Sequence, residues 1–192
     1  MTSAACSKCG AAPWRLALLL AGLMLSGMSQ AQPPLELVDD VDLSRYQGVW
    51  YEIALLPNRF QRRCVANTRA NYELLEQWRV KVSNRCQRAD GRWIEVVGEA
   101  RPAGDDLPSS ALEVRFAPRW LAWLPVVWGE YRIIALDDNY QLAMVGTENR
   151  RYLWILARQT DVADERLNEL LAQARAQGFD TDKLSWTPHE PR

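Results

Sequence analysis

The hydrophobic and polar positions between residues 49 and 157 alternate in short runs that are typical of β-strands. Each run is rich in Val, Ile, Tyr and Trp, and turn formers such as Asp90-Gly91 and Asp137-Asp138-Asn139 separate the runs. The pattern predicts eight strands: Val49–Leu55, Val65–Leu74, Trp78–Gln87, Arg92–Arg101, Ala111–Phe116, Gly129–Leu136, Gln141–Val145 and Tyr152–Ala157. Eight antiparallel strands in one domain indicate a closed barrel or a sandwich.

The last of these strands is apolar on both faces, so another element must cover its outer side. A helix with an apolar stripe follows at once, and the stripe consists of Leu167, Leu170, Leu171 and Ala174. Asp161 is the predicted N-cap of this helix, and Gly178 is its predicted end. A short final strand is predicted over Lys183–Thr187.

The first 31 residues have the features of a secretory signal peptide. Lys8 and Arg15 supply a positive beginning with no acidic residue, Leu16–Leu25 is an apolar run, and Ser29-Gln30-Ala31 matches a small-x-small cleavage site. The alternative is a membrane anchor, but a spanning helix needs about 20 apolar residues and this run is shorter. We therefore expect cleavage after Ala31, with residues 32–192 forming one domain.

The cysteines refine the expected location. Cys6 and Cys9 would leave with the signal peptide, so neither a zinc site nor a redox pair is expected from them. No cysteine follows the apolar run closely enough to carry a lipid anchor. We expect an exported protein that is periplasmic or secreted.

The second and third predicted strands align as a hairpin centred on Leu75. In this register Cys64 faces Cys86, Tyr72 faces Trp78, and one face of the hairpin is apolar. Two cysteines in an exported chain most simply form one disulfide. The alternative is a free nucleophilic thiol at Cys64, although no histidine nearby would activate it.

Composition excludes several function classes. The chain has 23 Lys and Arg against 24 Asp and Glu, a net charge of −1, so the basic surface that nucleic-acid binding requires is not expected. Its single histidine, His189, lies near the C-terminus. A metal site with several histidine ligands and a Ser-His-Asp hydrolase are therefore disfavoured, and no metal or cofactor is expected.

Three short motifs resemble those of the lipocalins. Gly48-x-Trp50 opens the first strand, Asp138-Asn139-Tyr140 falls where the second motif lies, and Arg158 closes the eighth strand as in the third. The resemblance covers about residues 41–186 and is to bacterial lipocalins akin to apolipoprotein D. Asn139 replaces the Asp of a strict Thr-Asp-Tyr motif, so surface recognition by that loop is not carried over. Many bacterial relatives are outer-membrane lipoproteins that carry a lipidated cysteine. That cysteine is missing here, so a lipid anchor is not carried over, and association with the outer membrane by other means is left open.

The resemblance implies an eight-stranded antiparallel up-and-down barrel with one C-terminal helix packed outside. It places Trp50 at the closed end beneath Arg158, as a structural cation–π pair worth about 0.5 to 2 kcal/mol. Gly48 allows this close approach. Asp138 and Tyr140 complete the structural signature.

In such a barrel the inward side chains would form a site for one small hydrophobic ligand. The candidate ligand-binding residues are Tyr72, Val82, Leu112, Val114, Phe116, Tyr131 and Trp154. The resemblance implies non-catalytic binding, storage or transport of a fatty acid, lysophospholipid or similar lipid, with a role in cell-envelope lipid maintenance. The alternative is that these side chains simply fill a solid core.

The segment between the fifth and sixth strands is rich in tryptophan, and in a lipocalin it lies at the open mouth. Its large apolar residues include Trp120, Leu121, Trp123, Leu124 and Trp128. This loop would close the mouth over the ligand, contact a membrane surface transiently, or meet a second subunit in a homodimer. The alternative is a loop folded back on the barrel as a satellite core.

Two other functions stay open at this point. An enzyme acting on a lipophilic substrate would use Cys64 as its nucleophile. An interaction module would use the Trp120–Trp128 loop as its contact surface. Glu52 is a candidate inward carboxylate, but the favoured alternative is that it pairs with an arginine, because the barrel carries many.

Overall fold

The computed structural model describes residues 32–190. The predicted signal peptide lies outside the described residues. The strands are β1 (Gly48–Leu55), β2 (Ala66–Leu74), β3 (Val80–Gln87), β4 (Trp93–Pro102), β5 (Ala111–Arg115), β6 (Gly129–Leu136), β7 (Leu142–Gly146), β8 (Leu153–Ala157) and β9 (Ser185–Trp186). The helices are α1 (Leu43–Tyr46) and α2 (Asp164–Ala176), and 3-10 turns lie at Glu76–Trp78, Arg119–Leu121, Pro125–Val127 and Thr181–Lys183. The eight predicted barrel strands are confirmed, each within two residues at either end.

The sheet closes into a barrel. Each strand from β1 to β8 is antiparallel to the next, and β8 pairs with β1 through Tyr51 opposite Ala157. Because β1 also pairs with β2, from Gly48 opposite Tyr72 to Tyr51 opposite Arg69, the ring is complete. The predicted up-and-down barrel is therefore confirmed, together with its short final strand β9.

Helix α2 covers the outside of the barrel. Its buried residues Leu170 and Ala174 join a cluster with Met144 on β7, Ile155 on β8 and Phe179 after the helix. A second cluster fills the barrel interior around Trp50. Within residues 32–190, no helix is long and apolar enough to cross a membrane.

The two ends of α2 differ in how well the sequence indicated them. The predicted cap Asp161 is wrong, since the N-cap position is Ala163 and no side chain caps the helix. Asp164 and Glu165 instead place negative charge in the first turn, where the helix dipole favours it. Gly178 is confirmed as the end, because it takes a left-handed φ of 87° directly after the helix.

The predicted register of the β2–β3 hairpin is wrong by four residues. Tyr72 pairs with Val82, not with Trp78, and the turn is centred on Gln77. Gln77 and Trp78 both adopt left-handed backbone with φ of 59°, a conformation that neither residue type signals. A shift by an even number keeps every side chain on its face, so the predicted apolar face is still the inner one.

The predicted disulfide between Cys64 and Cys86 is confirmed, with the two Cα atoms 5.5 Å apart. It forms despite the register error because the β2–β3 pairing shifts between Ala66 and Arg69, where Asn67 has a φ of 55°. Cys64 therefore meets Cys86 just before β2 begins.

The C-terminal tail bridges β1 and β2 where these strands diverge. β9 pairs with β1 through Ala54 opposite Trp186, and the Thr187 N–H donates to Ile53 O at 3.0 Å. On the other side, the Asn67 N–H donates to Pro188 O at 2.8 Å. The tail thus forms part of the barrel wall beside the mouth-side half of β1.

Candidate ligand-binding site

The closed end of the barrel is built around Trp50, which is fully buried. Its indole Nε1 donates to Tyr46 O at 2.8 Å, and the guanidinium carbon of Arg158 lies 4.0 Å from the ring centroid. Gly48 has a φ of 92°, and a Cβ there would lie 3.3 Å from Arg158 Nη1. These contacts explain the sequence pattern Gly48-x-Trp50 and the arginine after β8.

The second motif holds the segment that precedes the barrel. Tyr140 Oη accepts from the Asp42 N–H at 2.9 Å, and Arg45 lies 4.0 Å over the Tyr140 ring. Arg45 Nη2 also donates to Asp138 O at 2.7 Å. The side chain of Asn139 is exposed. This loop therefore anchors α1 to the closed end.

A small cavity lies above this closed end. Its lining is apolar and tyrosine-rich and consists of Leu43, Tyr46, Tyr72, Val80, Val82, Ala100, Leu112, Val114 and Tyr131. Five of the seven candidate ligand-binding residues are among them. The volume is about 10 Å³, which is room for about one water molecule. In this conformation the lower barrel is close to filled.

The remaining two candidates lie nearer the mouth. Phe116 is 42% exposed, and its ring lies against Gly98, where a Cβ would come within 2.6 Å of Cδ1. Val96, further along β4, is 46% exposed. β5 ends at Arg115 while β4 continues beyond it, and the inner face of β4 reaches solvent at Val96.

Trp154 belongs to a polar network in the mouth-side half of the barrel. Its Nε1 donates to Gln61 Oε1 at 2.8 Å, and Gln61 Nε2 donates to Glu52 Oε2. The other carboxylate oxygen of Glu52 accepts from Thr187 Oγ1 at 2.7 Å. His189 Nε2 lies 2.8 Å from Glu52 O. The C-terminal tail is thus tied to this network.

The Glu52 carboxylate is buried, and no Lys or Arg among residues 32–190 forms an ion pair with it. The expected arginine partner is wrong, because in the described part of the chain the carboxylate oxygens are hydrogen-bonded to neutral groups. Burial, which disfavours the charged form, raises the pKa of the Glu52 carboxyl. Hydrogen bonds from Gln61 and Thr187, the electrostatic effect of His189 and a hydrogen bond from Thr68 oppose this rise only in part.

The tryptophan-rich loop is divided between packed and exposed residues. Trp128 folds onto the outer wall of the barrel, where Arg101 lies 3.9 Å and Arg115 5.1 Å from its ring centroid. Leu121 and Leu124 are partly buried. Trp120 is 74% exposed and Trp123 76% exposed. Trp128 Nε1 also donates to Ala122 O at 2.8 Å, within the loop.

Residues 41–189 match the family described as a lipocalin-like domain. The chain belongs to the lipocalin family. Among its relatives, temperature-induced lipocalin-1 of Arabidopsis thaliana is 36% identical over 155 residues, which cover 80% of this chain and 82% of the relative. The outer membrane lipoprotein Blc of Escherichia coli K12 is 35% identical over 174 residues, covering 89% and 93%. Apolipoprotein D of Macaca fascicularis is 32% identical over 165 residues, covering 82% and 81%.

Solved lipocalin structures share the fold of this lipocalin. Insecticyanin from Manduca sexta superposes with a TM-score of 0.64 at 19% identity, over 83% of this chain and 87% of that one. H1 crustacyanin from Homarus americanus superposes with a TM-score of 0.59 at 18% identity, over 82% of this chain and 90% of that one.

Lipocalins bind small hydrophobic ligands and are generally non-catalytic binding proteins. Among residues 32–190, no group of three or more His, Cys, Asp or Glu side chains is placed to hold a metal ion.

Several residues of the lipocalin site carried no signal in the sequence. Tyr46 lines the cavity from α1, outside the predicted strands. Gln61 and Thr187 reach Glu52 from the β1–β2 loop and the tail, so only the closed fold brings them together. Alternation within strands finds inward positions on the strands, but it does not find loop residues that enter the barrel.

Proposed function

We propose that this lipocalin binds and carries a single-chain lipid, such as a fatty acid or lysophospholipid, in the barrel and serves lipid maintenance in the cell envelope. One observation carries the proposal. The barrel is sealed at one end by Trp50 and open at the other, where the inward-facing apolar residues Val96 and Phe116 reach solvent. An apolar interior with one opening suits a long, narrow apolar guest.

Binding requires the interior to widen. The cavity of about 10 Å³ does not hold an alkyl chain, so the ligand must displace side chains that now meet above the closed end. Phe116 and Tyr131 are suited to this movement, because neither side chain is fully buried. Phe116 lies on the mouth side of Leu112, and Tyr131 lies opposite Leu112 on β6. Each buried CH₂ contributes about 0.8 kcal/mol, so a chain of about ten carbons offsets a moderate cost of opening.

The direct test is lipid binding by the purified protein. A fluorescent fatty-acid analogue and a lysophospholipid are titrated separately, and lipids extracted from the native protein are identified by mass spectrometry. We expect saturable binding of at least one probe and a recovered single-chain lipid. The absence of both would reject the proposal.

The proposed function includes no catalytic step. The sulfur of Cys64 is bonded to Cys86, so the thiol required by the enzyme hypothesis is not free. Export of the chain to the periplasm or outside the cell is part of the proposal and is supported by the signal-like segment before residue 32 and by this disulfide.

A specific observation also favours contact with an anionic membrane surface. Trp120 and Trp123 are more than 70% exposed, and Arg119 precedes them. In the β1–β2 loop, Phe60 is 67% exposed and is flanked by the exposed residues Arg59, Arg62 and Arg63. Exposed indoles with neighbouring arginines suit the interface of an anionic bilayer. We propose that these two loops contact the membrane during lipid uptake or delivery.

A further inference from the structure

The inner face of β3 carries a polar residue in line with apolar ones. Val80 and Val82 are buried on this face, and Asn84 follows in the same alternation. Its partners across the sheet are Ala70 on β2 and Val96 on β4. Asn84 therefore belongs to the inner wall of the mouth-side half of the barrel.

The amide of Asn84 has unmet hydrogen-bonding capacity. Its Oδ1 is buried and accepts no hydrogen bond from any residue between 32 and 190. Buried acceptors without a partner are rare in native proteins because desolvation is not compensated. Asn84 Oδ1 would gain a hydrogen bond if a ligand in the barrel placed a donor group beside it.

Tyr46, Tyr72 and Tyr131 form a hydroxyl cluster that has a hydrogen-bond donor to spare. Tyr131 Oη lies 3.0 Å from Tyr46 Oη and 2.8 Å from Tyr72 Oη. Three hydroxyl groups carry three hydrogens, and the two hydrogen bonds between them use only two. One O–H is therefore left without an acceptor inside the cluster, beside a cavity large enough for about one water.

Among residues 32–190, no Lys, Arg or His lines the cavity, so its wall offers no cation to an anionic ligand group. The three donor nitrogens of Arg158 are hydrogen-bonded to the carbonyl oxygens of Val49, Arg45 and Tyr140 at the closed end. Glu52, the one buried acid among residues 32–190, would repel a carboxylate when it is ionised. Burial raises the pKa of Tyr72 to about 12, in keeping with a site that disfavours negative charge.

We infer that Asn84 determines specificity for a lipid whose buried part carries an uncharged hydroxyl or amide group. Such a group donates a hydrogen bond to Asn84 Oδ1, and its own oxygen can still accept one from another donor in the interior. A carboxylate only accepts, and a hydrocarbon does neither. The inference rests on the proposed function and narrows its ligand class.

The test compares two ligands of nearly equal shape, 1-octanol and nonane. Nonane has a methyl group where 1-octanol has its hydroxyl. Each displaces a fluorescent fatty-acid analogue from the wild-type protein, from Asn84→Leu and from the matched outer-face control Asn71→Leu, whose position is exposed. Asn84→Ala is measured beside Asn84→Leu, because it removes the same amide without filling the space.

We expect both Asn84 variants to lower the octanol-to-nonane affinity ratio about fivefold, as for the loss of one hydrogen bond. Asn71→Leu leaves the ratio unchanged. Ligand-free Asn84→Leu unfolds at a higher temperature than the wild type, since an unpaired polar atom is lost. Octanoate binds the wild type more weakly than octanol.

Two results would overturn the inference alone. One is an unchanged affinity ratio in the Asn84 variants, and the other is tighter binding of octanoate than of octanol. If the wild type binds neither the fatty-acid analogue nor the lysophospholipid and no single-chain lipid is recovered from it, the proposed function is overturned and the inference with it.

Discussion

Arg158 and Trp50 form the seal of the barrel, with the guanidinium carbon 4.0 Å from the indole centroid. The three donor nitrogens of Arg158 are each hydrogen-bonded to a backbone carbonyl, two at 2.9 Å and one at 3.2 Å. Tyr46 stacks on the same indole with its centroid 4.8 Å away. The arginine therefore joins α1, β1 and the β6–β7 loop at one point.

Replacing this arginine is expected to destabilise the fold. Arg158→Met keeps much of the side-chain length but removes the cation–π contact and all three hydrogen bonds. The free energy of unfolding in urea should fall by about 2 to 4 kcal/mol. Arg151→Met, at an exposed position, is the control and should change it by less than about 0.5 kcal/mol. Equal effects of the two substitutions would contradict the structural role of Arg158.

The disulfide is expected to stabilise the β2–β3 hairpin and the loop before it. The double variant Cys64→Ser, Cys86→Ser should lose about 2 to 4 kcal/mol of unfolding free energy, because the cysteines are 22 residues apart and the cross-link restricts the unfolded chain. Dithiothreitol should lower the thermal midpoint of the wild type and leave that of the double variant unchanged. A wild type insensitive to the reductant would show that the bond contributes nothing.

Glu52 predicts a pH dependence of stability. Burial raises the pKa of its carboxyl above the ordinary value of 4.5, so the folded state holds this proton more tightly than the unfolded state. The contribution of Glu52 to stability is therefore complete below the unfolded pKa and decreases as pH rises through the raised folded pKa. Glu52→Gln removes this decrease, and the Thr187 hydroxyl can accept from the new amide while Gln61 still donates to its oxygen.

Urea unfolding at pH 4, 5.5 and 7 measures this effect. Relative to the wild type, Glu52→Gln should become steadily more stable as pH rises over this range. Glu95→Gln, on an exposed part of β4, controls for loss of a surface charge. A pH profile of Glu52→Gln parallel to that of the wild type would mean that the carboxyl titrates as it does in the unfolded chain.

The strand pattern was readable from the sequence because side chains in a half-buried strand alternate strictly. The β2–β3 register was not, since it depends on the left-handed backbone of Gln77 and Trp78, and neither is a residue type that marks such a turn. The inner face survived the error because the shift was even.

The candidate site was readable only in part for a similar reason. Alternation placed Phe116 on the inner face with Leu112 and Val114, but its exposure follows from where β5 ends relative to β4. Asn84 Oδ1 is unpaired because the neighbouring strands place no hydrogen-bond donor within its reach. A missing hydrogen-bond donor of this kind is recognised only from the three-dimensional structure of the barrel.

The exposed tryptophans predict affinity for anionic vesicles. Replacing Trp120 and Trp123 together with Ser should reduce sedimentation with phosphatidylglycerol vesicles at least fivefold, because both indoles lose interfacial burial. Trp186→Ser is the control, since Trp186 is 52% exposed on β9. High salt should weaken association of the wild type by screening the loop arginines. Unchanged sedimentation of the double variant would assign the loop to packing or to a protein partner.

Blocking the barrel mouth tests the central claim, that the lipid enters the interior, most directly. Val96 and Val97 are neighbours on β4 with similar exposure, 46% and 55%, but Val96 faces inward and Val97 outward. Binding of a fluorescent fatty-acid analogue is measured by titration of Val96→Trp, Val97→Trp and the wild type. We predict that Val96→Trp weakens binding at least tenfold and that Val97→Trp leaves it within twofold of the wild type. Equal affinities of the two variants would contradict binding inside the barrel.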